Sequence, residues 1–292
     1  MPQKVISIPT LNDRAWDFQQ LFNIWSQVND YREDVLFNFS GCHFLRPNAV
    51  AFLGGVARLI EFRMGTVYFD WDTLRDDWVK NTLSQNGFAG AFGSSSSGWS
   101  GHSIPYREDS KWDANSIIDY LELYWLGRGW VHVSPRLRDA IIGHVWEIYN
   151  NAFEHSGSEI GVFSCGQHFH RKDELLLSVV DFGQGIPAKV RTFLSSDPRA
   201  DQLLAAGCLR WAFQRGNTTK EDEPGGLGLD LLKEFIQLNQ GKLEVYSNEG
   251  YAIIDRDGER YENRDISFEG TVVHITLRCD EKLYHFKDET PS

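Results

Sequence analysis

The chain has 292 residues, 41% of them apolar, enough for about two domains of ordinary size and too apolar for a disordered protein. Twenty-nine Lys and Arg stand against 41 Asp and Glu, a net charge of −12, so no basic surface of the extent a nucleic-acid duplex requires is expected. Cys42, Cys165, Cys208 and Cys279 lie far apart without a C-x-x-C pair, and no signal-peptide pattern precedes the first hydrophobic run, so a cytoplasmic protein is expected rather than a disulfide scaffold or zinc ribbon.

The first ninety residues alternate strand-like and helical runs. Val5 to Pro9 reads as a strand, and Arg14 to Val28 places Phe18, Leu21, Phe22 and Trp25 at helical spacing. Asp34 to Phe39 and Gly65 to Phe69 are further strands, and Asn48 to Phe62 and Asp76 to Leu83 further helices. Phe88 to Phe92 reads as a last short strand. Such alternation implies a small α/β domain with a mostly parallel sheet over residues 1–93. The run Gly93-Ser-Ser-Ser-Ser-Gly98-Trp-Ser-Gly101 cannot pack a core and reads as a loop or linker, so a boundary is expected over 94–112. A second domain then spans 113–280, with a tail at 281–292. Its first helix covers Ala114 to Leu126, and Ser134-Pro135 supplies an N-cap hydroxyl and an N1 proline for the next.

Down that helix Ile141, Val145, Ile148 and Ala152 form a buried stripe, while Glu147, Asn151 and His155 stack at i, i+4, i+8. A carboxylate can orient or deprotonate a hydroxyl, and an Asn carbonyl is a hard ligand suited to Mg²⁺. Three polar residues on one face are by themselves usually a solvated surface. The apolar strand Leu175 to Val180 ends in Asp181-Phe-Gly183-Gln-Gly185. A carboxylate at a buried strand end needs donors, and the exocyclic amine of a purine is one. Gly183 and Gly185 allow a ligand to approach the backbone. Farther on, Gly225-Gly226-Leu227-Gly228 opens an amphipathic helix running to Asn239, where backbone N–H groups can face a phosphate chain. The polar segment before it carries Arg215, Thr218, Thr219 and Lys220, within reach of phosphates if it closes as a lid. Asp255 to Tyr261 reads as a hairpin with an Asp257-Gly258 turn.

In this order, E-x-x-x-N-x-x-x-H, D-x-G-x-G and G-G-L-G-L, the motifs resemble those of the GHKL ATPases, the superfamily of gyrase, heat-shock chaperone, histidine kinase and MutL ATP-binding domains. The resemblance implies a Bergerat-type α/β sandwich, a mixed sheet covered by helices, binding ATP with Mg²⁺. It makes Glu147 the catalytic base or water-orienting group and Asn151 the Mg²⁺ ligand. Asp181 would read adenine N6, with Gly183 and Gly185 flanking the base and Thr271, after Gly270, backing the adenine contact. Arg215, Thr218, Thr219, Gly225, Gly226, Leu227 and Gly228 would hold the phosphates. The box Glu147-Ile-Tyr-Asn-Asn-Ala-Phe-Glu-His155 is most similar to that of the anti-sigma-factor serine kinases.

The stretch Asp34 to Leu53 looks like the core strand and helix of a STAS domain, the fold of anti-sigma-factor antagonists. In that family the helix opens with Asp-Ser-Ser-Gly and a Ser accepts phosphate; here Arg46-Pro47-Asn48-Ala49 offers no hydroxyl. Together the two resemblances imply a bacterial ATP-binding regulator that binds ATP or ADP and switches with slow hydrolysis, or transfers phosphate to a Ser or Thr of a partner, itself a regulatory or STAS-type protein. The competing expectation is a nucleotide-gated binding module that does not turn over. A homodimer is compatible with either. No membrane association is expected, since no apolar run reaches the ~18 residues of a spanning helix.

Overall fold

The computed structural model describes residues 4–95, 97, 99–214, 217 and 229–289. In the first third, strands β1 (Lys4–Ser7), β2 (Val35–Asn38) and β3 (Val67–Asp70) pair in parallel in that order, connected by helices α1 (Ala15–Gln27) and α2 (Pro47–Phe62). Ile6, Val35, Phe37 and Phe69 face the helices and are buried, whereas Val5, Leu36 and Tyr68 alternate onto the other face. Proline at the first position of α2 removes an N–H that would have no intrahelical partner. Helix α3 (Asp77–Gln85) is capped by Asp76, whose carboxylate accepts the Val79 N–H.

Phe88 to Phe92, expected as a strand, forms instead the short helix α4 (Phe88–Ala91). Gly87 turns the chain at φ +86°, and the Asn86 side chain accepts the Phe88 N–H at 3.0 Å. The alternating pattern misleads because Phe88 and Phe92 both pack on Phe69 and Tyr106 as an aromatic cluster, a job that needs no strand.

The second sheet runs β4 (Ser103–Asp109), β5 (Val162–Phe169), β6 (Glu174–Asp181), β8 (Gly258–Arg278), β7 (Lys242–Asp255) in spatial order. All of these neighbours are antiparallel, which corrects the expected mixed sheet. β5 with β6 and β7 with β8 are hairpins, a connection that enforces antiparallel pairing. β4 lies within 94–112, the stretch expected as a linker, and forms an edge of this sheet. The β7–β8 turn is Arg256-Asp257, with Asp255 opposite Gly258, one residue earlier than expected.

Helices α5 (Ala114–Tyr120), α6 (Pro135–His155) and α9 (Asp230–Asn239) cover one face of this sheet, with Ile117, Ile141, Val145, Tyr149 and Ile236 against Leu175, Leu177, Val179, Val245 and Ile275. The first third of the chain covers the other face. Phe18 stacks on Tyr246 at 4.3 Å, Phe22 on Phe268 at 5.2 Å, and Phe52 meets Phe182 at 5.4 Å. Both sheet faces are therefore dry, so β5 and β6 are buried along nearly their full length rather than at alternate positions.

A polar seam crosses this shared core. Arg46, only 2% exposed, pairs with Asp13 at 2.7 Å and Glu174 at 3.0 Å and lies over the Phe169 ring. His274, fully buried in β8, meets Ser178 Oγ at 2.7 Å and lies 3.6 Å from Asp13. Burial alone would raise the Asp13 carboxyl, but His274, Arg46 and Lys242 outweigh it and hold it well below the usual carboxylate range.

Candidate functional site

The end of α6 converges with the turn after β6. Ser134 caps the start of α6 by accepting the Leu137 N–H at 3.2 Å, and the helix runs on to His155. Glu147 is half-buried on it and Asn151 exposed. At its C-terminal end the Ser156 carbonyl accepts the Gln184 N–H at 2.8 Å. A Cβ on Gly183 would come within 2.1 Å of that carbonyl oxygen, so the turn can lie against α6 only with glycine there. The helix α7 (Ile186–Phe193) follows directly, entered through Gly185 at φ +80°.

Asp181 is the last residue of β6 and directly opposite Thr271 of β8. Its side chain accepts the Gly183 N–H at 3.0 Å, and the nearby hydroxyl and backbone N–H of Thr271 favour its ionised form. Burial pushes its carboxyl up to about 7 in spite of these donors.

Ser247 of β7 is a residue the motif reading passed over. It donates to Gly270 O at 2.9 Å, accepts the Ile186 N–H at 2.8 Å, and lies 3.1 Å from Thr271 Oγ1. It ties the start of α7 to the strand carrying Thr271. Its signal is a small hydroxyl side chain within β7 at a position with no exposure, between Tyr246 and Asn248. Asn248 donates to the Gln184 carbonyl at 3.2 Å and keeps a buried Oδ1 without a partner, another polar atom aimed at this turn.

The structure thus brings Asp181, Gly183, Gly185 and Thr271 together beside the end of the helix that carries Glu147 and Asn151. His155 approaches Glu154 at 3.8 Å, and its carbonyl accepts from Gln184. Arg215, Thr218, Thr219, Lys220, Gly225, Gly226, Leu227 and Gly228 lie outside the described residues. Among the described residues no group of three or more His, Cys, Asp or Glu side chains could hold a metal ion. No helix there is long and apolar enough to cross a membrane.

Residues 138–281, just under half of the chain, match the family model described as histidine kinase-, DNA gyrase B-, and HSP90-like ATPase. No curated protein matches the chain. The match begins in α6 and ends just past β8, so it takes in the whole arrangement around Asp181. The antiparallel sheet, flanked by helices, fits the α/β sandwich of this class. Residues 138–281 are therefore a GHKL-type domain, an ATP-binding module of the ATPase and kinase kind.

Proposed function

We propose that this module binds Mg-ATP beside the β6–α7 turn and uses the nucleotide to switch the chain's hold on a protein partner, with slow hydrolysis or phosphotransfer. The observation carrying this reading is the buried carboxylate of Asp181 at the end of β6, accepting the Gly183 N–H and opposite Thr271. Asp181 takes the adenine amine, Thr271 backs it, and Gly183 and Gly185 leave room for the base. Asn151, exposed on α6, is the protein's ligand to Mg²⁺, whose charge neutralises the phosphates when bound. Among the described residues no carboxylate or imidazole cluster stands ready for a metal, so a Mg²⁺ held by Asn151 would draw its other ligands from phosphate and water, the usual habit of that ion. The backbone of Gly225, Gly226, Leu227 and Gly228 cradles the phosphates, with Arg215, Thr218 and Thr219 beside them. Glu147 accepts the proton of the attacking hydroxyl, whether from water or from a partner's Ser or Thr.

We also propose that residues 1–93 are STAS-like and regulatory. The start of α2, where such domains carry their acceptor Ser, holds Arg46, Pro47 and Asn48 and is buried. Phosphate therefore goes to water or to a second protein and not to this helix. Burial of that helix end also favours a second reading, a nucleotide-gated binding module that never turns over.

The test is incubation with Mg²⁺ and γ-labelled ATP, beside Glu147→Gln and Asp181→Asn. Free phosphate or a labelled partner, lost in Glu147→Gln while ATP is still retained, supports an enzyme. Retained ATP without turnover supports the binding module. ATP retention unchanged by Asp181→Asn would overturn the placement of the site.

A further inference from the structure

The three-stranded sheet of the N-terminal part is parallel, and purely parallel sheets are almost always covered on both faces. Here α1, α2 and the second sheet bury one face only. On the other, the register sets Val5, Leu36 and Tyr68 side by side in one row, with Val5 57% and Tyr68 52% exposed. Alternation puts Asp34 on the same face before Leu36, and Asp70 after Tyr68. A shallow cavity of about 460 Å³ lies there, lined by Asp34, Leu36, Tyr68, Phe69 and Asp70. Its middle is apolar and both ends are acidic. Asp34 accepts a backbone N–H from Thr66, and no cation side chain pairs with it or with Asp70 among the described residues.

From this we infer that the bare face of the β1–β3 sheet is a docking surface for an amphipathic helix of a partner protein, with an apolar stripe flanked at both ends by Lys or Arg. The dimensions select one helix. Three strands at about 4.8 Å spacing and four residues at about 3.3 Å rise make a patch roughly 10 by 13 Å, the footprint of two to three turns of a helix about 10 Å wide. The charges select its ends. A second copy of this chain would bring the same carboxylates to the contact, on a molecule of net charge −12. A helix with basic ends completes the unpaired Asp34 and Asp70 and removes Val5, Leu36 and Tyr68 from water. This surface lies on the far side of the N-terminal sheet from the nucleotide module, so the inference stands apart from ATP binding.

The test selects a displayed library of about 14-residue amphipathic helices on the full chain without nucleotide. Both the stripe and the terminal charges of the library are varied. The enriched peptides are expected to carry Lys or Arg at both ends, and their Kd is expected to rise about tenfold or more in Tyr68→Lys and in Val5→Lys, as for loss of a central anchor. Paired Asp34→Asn and Asp70→Asn should weaken binding at low salt and make no difference at about 0.5 M salt. Both lysine substitutions fall at exposed positions, and an unchanged melting temperature shows that the fold is kept. Enrichment of neutral or acidic ends, or binding indifferent to both lysine variants, overturns the inference. So does concentration-dependent self-association abolished by Tyr68→Lys, which would make the occupant a second copy.

Discussion

Gly55 of α2 lies so close to Phe182, the residue after Asp181, that a Cβ on Gly55 would stand 2.0 Å from the Phe182 ring. The N-terminal part of the chain thus presses on the loop that positions the buried carboxylate. Gly55→Val is expected to destabilise the protein by about 1–3 kcal/mol, the usual cost of overpacking. It should also lower ATP affinity, because the displaced ring carries Asp181 with it. Gly143 provides the contrast: it sits on an exposed turn of α6 with nothing near its Cβ position. Gly143→Ala should stabilise by about 0.5–1 kcal/mol with affinity unchanged. Urea unfolding and titration with a fluorescent nucleotide measure both.

Arg46→Ala leaves Asp13 and Glu174 without their shared cation inside the joint core. A loss of about 3 kcal/mol is expected, as for breaking a buried pair. Because one core spans both parts of the chain, unfolding followed by tryptophan fluorescence and by far-UV circular dichroism should coincide in wild type. Two separated transitions in the wild-type protein would contradict the shared core.

With the adenine amine on Asp181 as proposed, nucleotide binding is expected to depend on pH. Its folded-state carboxyl, at about 7, stands above the ordinary 3.8, so the native protein holds a proton that the unfolded chain has released between those values. Ionising it costs stability, a cost absent below 3.8 and complete above 7. An amine donor prefers the ionised acceptor, so ATP affinity should rise from pH 5.5 to pH 8. Asp181→Asn should flatten that profile and weaken binding more than tenfold, since a bond to a charged group is worth about 1.5–3 kcal/mol. Isothermal titration across the pH range reads both.

At the other end of β5, His102 Nδ1 and His168 Nδ1 meet at 2.8 Å, and His168 stacks on Trp130. Burial first, then the neighbouring His102 and His170, push the His168 imidazole down to about 4. The unfolded chain takes up this proton near 6.5, so the contribution to stability is complete above 6.5 and lost as pH falls toward 4. The urea midpoint should drop between pH 7 and pH 4.5 in wild type and drop less in His168→Gln.

α1, α2 and the three strands β1 to β3 are legible because their apolar residues fall in helical spacing, as Phe18, Leu21, Phe22 and Trp25 do in α1, or in short runs, as Val35, Leu36 and Phe37 do in β2, whereas Phe88 to Phe92, read as a strand, is helical. Motif order marks Asp181 and the helix of Glu147 and Asn151, since chemistry fixes those residue types at fixed spacings. What escapes is whatever depends on a distant partner. Nothing local in Gly54-Gly55 announces that α2 lies on Tyr106 and Phe182. β4 is hidden behind a Ser- and Gly-rich run whose composition reads as linker, although Trp99 within that run donates to Ser103 O and Ser103 itself is buried. Ser247 escapes too, because a serine within a strand acquires meaning only when Thr271 is brought beside it.

The ammonium of Lys233, nearly buried, donates to the Phe213 carbonyl at 2.8 Å and pairs with Glu259 at 3.0 Å. It thereby joins the end of α8 (Ala205–Ala212) to the first turn of α9 across the segment that holds the glycine cluster. Bringing two points of a chain together has an entropic cost that grows with the logarithm of the number of residues between them. Here folding itself meets that cost, before any ligand arrives. Lys233→Met, which releases the Phe213 carbonyl and Glu259 together, is therefore expected to give back part of that cost and to lower the urea midpoint.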